Sequence, residues 1–165
     1  MAVFGLIALS LVCYLAGLKI NTTKSIPVGI YRLADFPVGK GEYVIFCPPQ
    51  TALFDEARER AYIGSGFCPG NYGYMMKRVL AMAGDRVTSG EEGITVNGKP
   101  LPESVPRKTD SAGRFLPLYP FSDYRLKESE LLLMSDVSGT SFDGRYFGPV
   151  EVGQVRGVIK PLVTF

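Results

Sequence analysis

An unbroken apolar run opens the sequence. Residues 1–18 contain no charged side chain, and Lys19 ends the run. At about 1.5 Å per residue, a helix of this length nearly spans a hydrocarbon core roughly 30 Å thick. The alternative is a cleavable signal peptide, but no basic leader precedes the run and the small residues around Ala16 and Gly17 fit a cleavage site poorly. The pattern favours an uncleaved transmembrane anchor over residues 1–20.

Beyond the anchor, hydrophobic residues fall into short runs separated by turn-forming residues, a pattern that predicts β-strands. The predicted strands cover residues 29–33, 43–46, 86–88, 131–134 and 155–163. Residues 74–83 alternate more loosely and are followed by a turn at Gly84-Asp85. The run 94–96 is followed by Asn97-Gly98, a dipeptide that tolerates the positive φ of a type I′ turn and so predicts a hairpin.

Two segments depart from the strand pattern. Residues 52–62 are rich in helix formers and lie between Cys47 and Cys68, so they predict a helix within an insertion at 47–68 that is clipped at its base. Residues 100–120 are rich in Pro, Lys and Ser and predict a long surface excursion.

Composition supports one β-rich domain over residues 21–165. The chain has 19 glycines and 12 prolines, and aromatic residues make up 12%, as expected for short strands joined by turns. The predicted fold class is α+β, mainly antiparallel β, with one N-terminal transmembrane helix. The net charge is +2 with acids and bases interspersed, which gives no reason to expect nucleic acid as a partner.

The sequence contains no histidine, and this limits its chemistry more than any other count. A Ser–His–Asp triad and a Cys–His peptidase are both excluded. A zinc site is not expected either, because the three cysteines are far apart, and we predict neither a metal nor a cofactor. Acid–base chemistry must therefore use Lys, Asp, Glu or Tyr.

Three motifs follow one another along the domain: NTTKSIPVGIY at 21–31, YMMKRV at 74–79 with GDRV at 84–87, and GTSFDGRYFG at 139–148. They resemble, in order, the nucleophile box, the lysine box and the last box of bacterial type I signal peptidases. The Pro-x-Gly-x-Tyr variant of the first is more similar to TraF-type peptidases of plasmid conjugation. Singly, each has an ordinary structural explanation: Ser before x-Pro is usually a turn residue, and Lys in an apolar strand usually extends to solvent. Their order makes the catalytic interpretation the stronger one.

The chemistry of these residues is coherent by itself. A serine hydroxyl needs a neighbouring base, and a lysine amine serves as one only if burial lowers its pKa toward the working pH. Lys77 lies among Met and Val residues, so we predict Ser25 as nucleophile and Lys77 as general base. Lys24 is the rival base, but neighbouring side chains of an extended segment point to opposite faces.

The resemblance implies further roles. The backbone N–H of Ser25 and the hydroxyl of Thr23 would form the oxyanion hole. Ser141 would orient the lysine amine, and Asp143 with Arg145 would form a structural ion pair that holds the last box near Lys77.

The resemblance also implies a signal-peptidase-like fold in which antiparallel sheets form a groove for an extended peptide. The expected protein is a single-pass enzyme of the bacterial inner membrane, in contact with membrane lipid, with its catalytic domain in the periplasm. Its substrate would be an exported or membrane precursor, foremost a pilin subunit of a conjugative type IV secretion system, whose components are possible partners. Such enzymes can also join the new ends of the product into a ring.

The predicted compartment bears on whether two of the cysteines form a disulfide. Cys47 and Cys68 would lie in an oxidising compartment, and we predict a disulfide between them, with two buried free thiols as the alternative. Cys13 lies in the anchor. The orientation is opposed by Lys19 and Lys24, which the positive-inside rule would place in the cytoplasm.

Three other functions stay open. A general signal peptidase shares the motifs but usually carries a larger accessory domain. A LexA-like self-cleaving repressor would need a DNA-binding domain instead of an anchor. A non-catalytic assembly factor of the secretion apparatus could keep the fold without the activity.

Overall fold

Two antiparallel β-sheets organise residues 16–165, the part of the chain that the computed structural model describes. The strands are β1 (Leu18–Asn21), β2 (Gly29–Ala34), β3 (Tyr43–Phe46), β4 (Ser65–Cys68), β5 (Met75–Ala81), β6 (Arg86–Gly90), β7 (Gly93–Val96), β8 (Lys99–Pro100), β9 (Tyr124–Arg125), β10 (Glu130–Met134), β11 (Val150–Glu151) and β12 (Val155–Thr164). The helices are α1 (Ala52–Glu59) and α2 (Gly144–Phe147), with 3₁₀ turns at Pro69–Asn71 and Val152–Gln154. The domain is thus mainly antiparallel β with few helices, as predicted.

The larger sheet has the strand order β1-β2-β12-β3-β5-β10-β11, and the smaller one β8-β7-β6-β9. Strand β12 lies between β2 and β3, with Thr164 opposite Gly29 and Val158 opposite Val44. The strand that comes last in sequence therefore joins the β1–β2 hairpin to the rest of the larger sheet.

Gly29 shows why the first motif contains Pro-x-Gly. A Cβ atom at this position would lie 2.1 Å from the carbonyl oxygen of Val163, so only glycine lets β12 pass so close to β2. Two residues on, the buried Tyr31 donates its hydroxyl proton to the carbonyl of Pro27 at 2.6 Å. These contacts fix the point at which the 22–28 loop enters β2.

The largest core cluster lies between α1 and the larger sheet. It contains Phe54 and Ala57 of α1, Phe46 of β3, and Met75 and Val79 of β5. Alternate residues of β5 are buried, and Lys77 lies on the same buried side as Met75 and Val79. The sheet thus places one lysine within a largely apolar core.

The strands and the hairpin are confirmed, with Asn97 at φ 52° and Gly98 at φ 76° in the turn. The helix predicted over 52–62 is too long, because α1 ends at Glu59. The chain leaves the helix at Ala61, whose φ is 59°, while the backbone N–H of Tyr62 donates back to the carbonyl of Ala57.

Most of the predicted anchor, residues 1–15, lies outside the described residues. Of the remainder, residues 18–20 belong to β1 and not to a helix. Within residues 16–165, none of the helices is both long and apolar enough to cross a membrane.

Candidate active site

Lys77 lies at the centre of β5, opposite Val44 of β3, and its side chain is almost fully enclosed. Its Nζ donates a hydrogen bond of 2.8 Å to Oγ of Ser141. Burial lowers the pKa of Lys77 from 10.5 to about 8, with the nearby Asp143 carboxylate raising that pKa and the Arg145 guanidinium lowering it. The amine therefore loses its proton around pH 8, well below the pH at which an exposed lysine does, and this is a property that a general base needs.

Ser141 is held by the ion pair that follows it in sequence. Nε of Arg145 lies 2.8 Å from Oδ1 of Asp143, and Nη2 lies 2.9 Å from Oδ2, so the pair is bidentate. Both side chains are fully buried. Arg145 also donates to the carbonyl oxygens of Val105 and Gly139, and Asp143 accepts from the backbone N–H of Ser135. This buried pair fixes residues 139–148 against β10, with Ser141 facing Lys77.

Ser25 lies in the 22–28 loop between β1 and β2 and is half-buried. Its Oγ lies 2.9 Å from Oγ1 of Thr23, and Thr23 in turn donates to Oδ1 of Asn21 at 2.9 Å. Since the Thr23 proton goes to Asn21, the proton of Ser25 is directed to Thr23. Among the hydrogen bonds of residues 16–165, none is donated by the backbone N–H of Ser25, so that donor is available to a ligand.

Asn21 is a residue whose role the motifs did not reveal. Its amide nitrogen lies 2.7 to 3.1 Å from the carbonyl oxygens of Thr23, Ile26 and Pro27, and its Oδ1 also accepts from the backbone N–H of Thr23. The side chain thus ties both ends of the loop that carries Ser25. The signal available in the sequence was weak, since Asn commonly bonds to backbone two residues further on.

A cleft of about 430 Å³ brings the two groups together. Its lining includes Thr23 and Ser25 from the loop on one side and Lys77 and Ser141 on the other. In this state Ser25 bonds to Thr23 and Lys77 bonds to Ser141, and not to each other. Lys24 also lines the cleft, but its side chain is exposed whereas that of Lys77 is buried.

The insertion at 47–68 forms one end of the cleft. A disulfide joins Cys47 to Cys68, with 5.4 Å between their Cα atoms. This bond joins the two ends of the insertion. The insertion carries α1 and, after it, Tyr62 and Ile63, both of which line the cleft. Within residues 16–165 no three His, Cys, Asp or Glu side chains come close enough together to hold a metal ion.

Comparisons with known proteins identify the family of this chain. The family model for signal peptidase, peptidase S26, matches residues 1–163. A plasmid transfer protein TraF of Escherichia coli is 59% identical over 92% of this chain and 85% of its own length. A conjugal transfer protein TraF of Agrobacterium fabrum is 37% identical, over 92% of this chain and 85% of its own. A crystal structure of a signal peptidase I from Enterococcus faecalis aligns with a TM-score of 0.45 and 17% identity, covering 77% of this chain and all of the other. The chain belongs to the peptidase S26 signal peptidase family, among its TraF-type members.

Proposed function

We propose that this protein is a serine endopeptidase in which Ser25 is the nucleophile and Lys77 the general base. The observation that carries the proposal is that one cleft contains both an accessible serine and a buried lysine. A half-exposed serine faces substrate, and a buried lysine with a pKa of about 8 lies across from it. A lysine can serve as the base for a serine nucleophile only in such a buried setting, because an exposed lysine would stay protonated at neutral pH.

The reaction begins when Oγ of Ser25 attacks the carbonyl carbon of the scissile bond and its proton passes to Nζ of Lys77. The oxyanion that forms takes a hydrogen bond from the backbone N–H of Ser25, and the hydroxyl of Thr23 supplies a second once it turns away from Asn21. The C–N bond then breaks, and Nζ returns the proton to the leaving amine. Water repeats the sequence on the acyl-enzyme, and the serine is released.

Substrate binding has to redirect the serine proton. In the structure that proton points at Thr23, whereas catalysis needs it to face Lys77. Hydrogen bonds of this kind often align only when substrate is bound. Strand β1 lies at an edge of the larger sheet and contributes Ile20 and Asn21 to the cleft, so an extended peptide can pair with it.

The proposed substrate is an exported or membrane precursor, foremost a conjugative pilin subunit. The support comes from relatives named as plasmid and conjugal transfer proteins. In the proposed arrangement the apolar run that precedes β1 anchors the enzyme in the bacterial inner membrane, and the domain faces the periplasm beside type IV secretion components. Attack on the acyl-enzyme by an amine instead of water would give a cyclic product.

The test is precursor maturation in cells that carry a conjugative transfer system. Wild-type protein should shorten the precursor, and Ser25→Ala should abolish this while remaining folded, whereas the exposed Ser129→Ala serves as control. Mass spectrometry of the product also separates a linear chain from a ring, which is lighter by one water. Normal maturation by Ser25→Ala would instead favour a non-catalytic assembly role.

The compartment is tested separately by thiol alkylation of non-reduced protein from native membranes. We expect Cys47 and Cys68 to resist labelling even after denaturation, because a periplasmic domain keeps its disulfide. Free labelling of both would contradict the proposed orientation.

A further inference from the structure

A second cavity, of about 340 Å³, opens beside the catalytic cleft. Tyr62, Thr140 and Phe142 line both cavities, so the two are neighbours across a shared wall. The volume falls in the range of about 300–1,000 Å³ that is usual for ligand pockets. A peptide bound in the cleft therefore has room to place one of its groups in this second cavity.

Aromatic rings form the shared wall and the back of the second cavity. Phe142 and Tyr146 stack with 3° between their planes, and the ring of Tyr62 lies 5.3 Å from that of Phe142. Tyr146 is buried, and its hydroxyl accepts the backbone N–H of Arg107 at 3.0 Å. These contacts fix the backbone that carries Arg107 at the rim.

Two charged residues line this cavity, and they differ in whether their side chains already have hydrogen-bond partners. Asp110 accepts from the hydroxyl of Tyr62 at 2.5 Å and from Nε of Arg114 at 2.6 Å, and its other oxygen accepts two backbone N–H groups. This carboxylate is fully occupied. The guanidinium of Arg107, in contrast, forms no hydrogen bond or ion pair with any of residues 16–165.

We infer that the second cavity is a specificity subsite that binds a carboxylate of the substrate through Arg107. The guanidinium of the exposed Arg107 presents a planar fork of donors that matches a carboxylate, and aromatic residues line the same cavity. The carboxylate has two possible sources in a peptide, an Asp or Glu side chain or the free chain terminus. The inference rests on the proposed peptidase function, since it concerns where the same substrate is held.

The experiment uses full-length protein in detergent micelles and a set of eight-residue alanine-rich peptides. A single Glu or Gln is moved through every position, and each peptide is made with a free or an amidated C-terminus. Cleavage rates are read by mass spectrometry. Binding is read by fluorescence anisotropy with labelled peptides and the Ser25→Ala protein, with Arg107→Gln and Lys108→Gln introduced into both forms. Lys108 is the matched control, because it is an exposed neighbouring cation outside the cavity lining.

We expect Glu to be preferred over Gln at one position, or the free terminus over the amide, by about 10-fold. Which of the two preferences appears identifies the source of the carboxylate. Arg107→Gln should bring the ratio close to one, and Lys108→Gln should keep it. Salt should weaken the preference.

The outcomes separate this inference from the peptidase proposal. The subsite alone is overturned if peptides are cleaved without any preference that depends on Arg107. It is also overturned if Arg107→Gln and Lys108→Gln lower the preference equally. Binding that depends on Arg107 without cleavage of any peptide overturns the peptidase proposal and keeps the carboxylate site. If no peptide is cleaved and none is bound, both the subsite and the peptidase proposal are wrong.

Discussion

The loop that carries Ser25 and the segment that carries Lys77 meet in one cleft but are stabilised in different ways. The 22–28 loop is partly exposed, and side-chain hydrogen bonds from Asn21 to nearby carbonyls hold it. Lys77 lies inside a sheet, and a fully buried ion pair supports its partner Ser141. This difference suits the proposed roles, because a nucleophile must meet water and substrate, whereas a lysine base works only when desolvated.

The difference has an energetic consequence. Changes at exposed loop positions such as Thr23 should alter the rate with little effect on folding, whereas Ile26 of the same loop is fully buried in the core. Changes at the buried ion pair should alter folding first, since they leave an uncompensated charge in the core.

The largest effect is expected at Lys77, where loss of the base removes about 10²- to 10⁴-fold in rate or more. Lys77→Arg should be inactive at every pH up to alkaline conditions, because guanidinium does not give up its proton. Lys77→Met should be equally inactive yet at least as stable as wild type, because it removes a buried amine. Precursor cleavage and urea unfolding measure the two properties, and appreciable activity in either variant would contradict the base assignment.

The buried ion pair should dominate stability. Arg145→Met leaves the Asp143 carboxylate buried without its partner, and we expect a loss of about 3–5 kcal/mol in the free energy of unfolding. The control is Arg86→Met, which breaks an exposed pair with Asp123 and should cost less than about 1 kcal/mol. Urea unfolding of both variants gives the comparison. Equal losses would mean that burial of the first pair has no special role.

In the loop, Thr23→Ala should lower kcat by about 10²- to 10³-fold with little change in KM, as expected for a donor that acts mainly in the transition state. Thr23→Ser keeps the hydroxyl and should stay close to wild type. Unfolding by urea should be unchanged in both. A change confined to KM would place Thr23 in substrate binding instead.

The pH dependence follows from the pKa of Lys77, about 8. Below this value the amine is protonated, so kcat/KM should rise about tenfold per pH unit and level off above pH 8. Stability should respond in a different window. Between about pH 8 and 10.5 the unfolded chain binds this proton and the folded chain does not, so the contribution of Lys77 to the free energy of unfolding rises with pH there. A flat rate profile from pH 6 to 9 would contradict the assignment.

The smallest effect is expected at Asn21. Asn21→Ala removes the ties across the loop and should lower kcat by about 5- to 10-fold, since each such hydrogen bond contributes about 0.5–1.5 kcal/mol. Asn21→Asp keeps the oxygen that accepts from Thr23 but loses the amide donors, so it separates the two functions of this side chain. Steady-state kinetics with the same peptide measure both. A loss as large as that of Lys77→Met would show that the loop collapses.

Local patterns predicted much of this molecule. The strands and the Asn97-Gly98 hairpin follow from short patterns whose residues act within a few positions of one another. The grouping of Lys77 with Ser141, 64 residues further on, was expected only because the order of the three motifs resembles that of a known family. The position of β12 between β2 and β3 does not follow from local patterns, because pairing across more than a hundred residues leaves no local signal.

Two features of the site could not be predicted from the sequence either, because they depend on contacts that form only in the folded chain. Asn21 acts through backbone carbonyls that only the folded loop brings near it. Arg107 gains its role from the way residues 100–120 fold against Tyr146, and a stretch rich in Pro and Lys indicates only that it is a surface segment. The end of α1 was also misplaced, because Ala61 adopts a conformation that its residue type does not suggest.

The place of β12 has a consequence for synthesis. During synthesis the β1–β2 hairpin with Ser25 is made first and β5 with Lys77 later. The strand that joins them in one sheet, β12 (Val155–Thr164), is made after both. Until that strand emerges, Ser25 and Lys77 belong to separate, unjoined pieces. If the proposed function is correct, a nascent chain therefore gains peptidase activity only after this strand has been synthesised and has paired with β2 and β3.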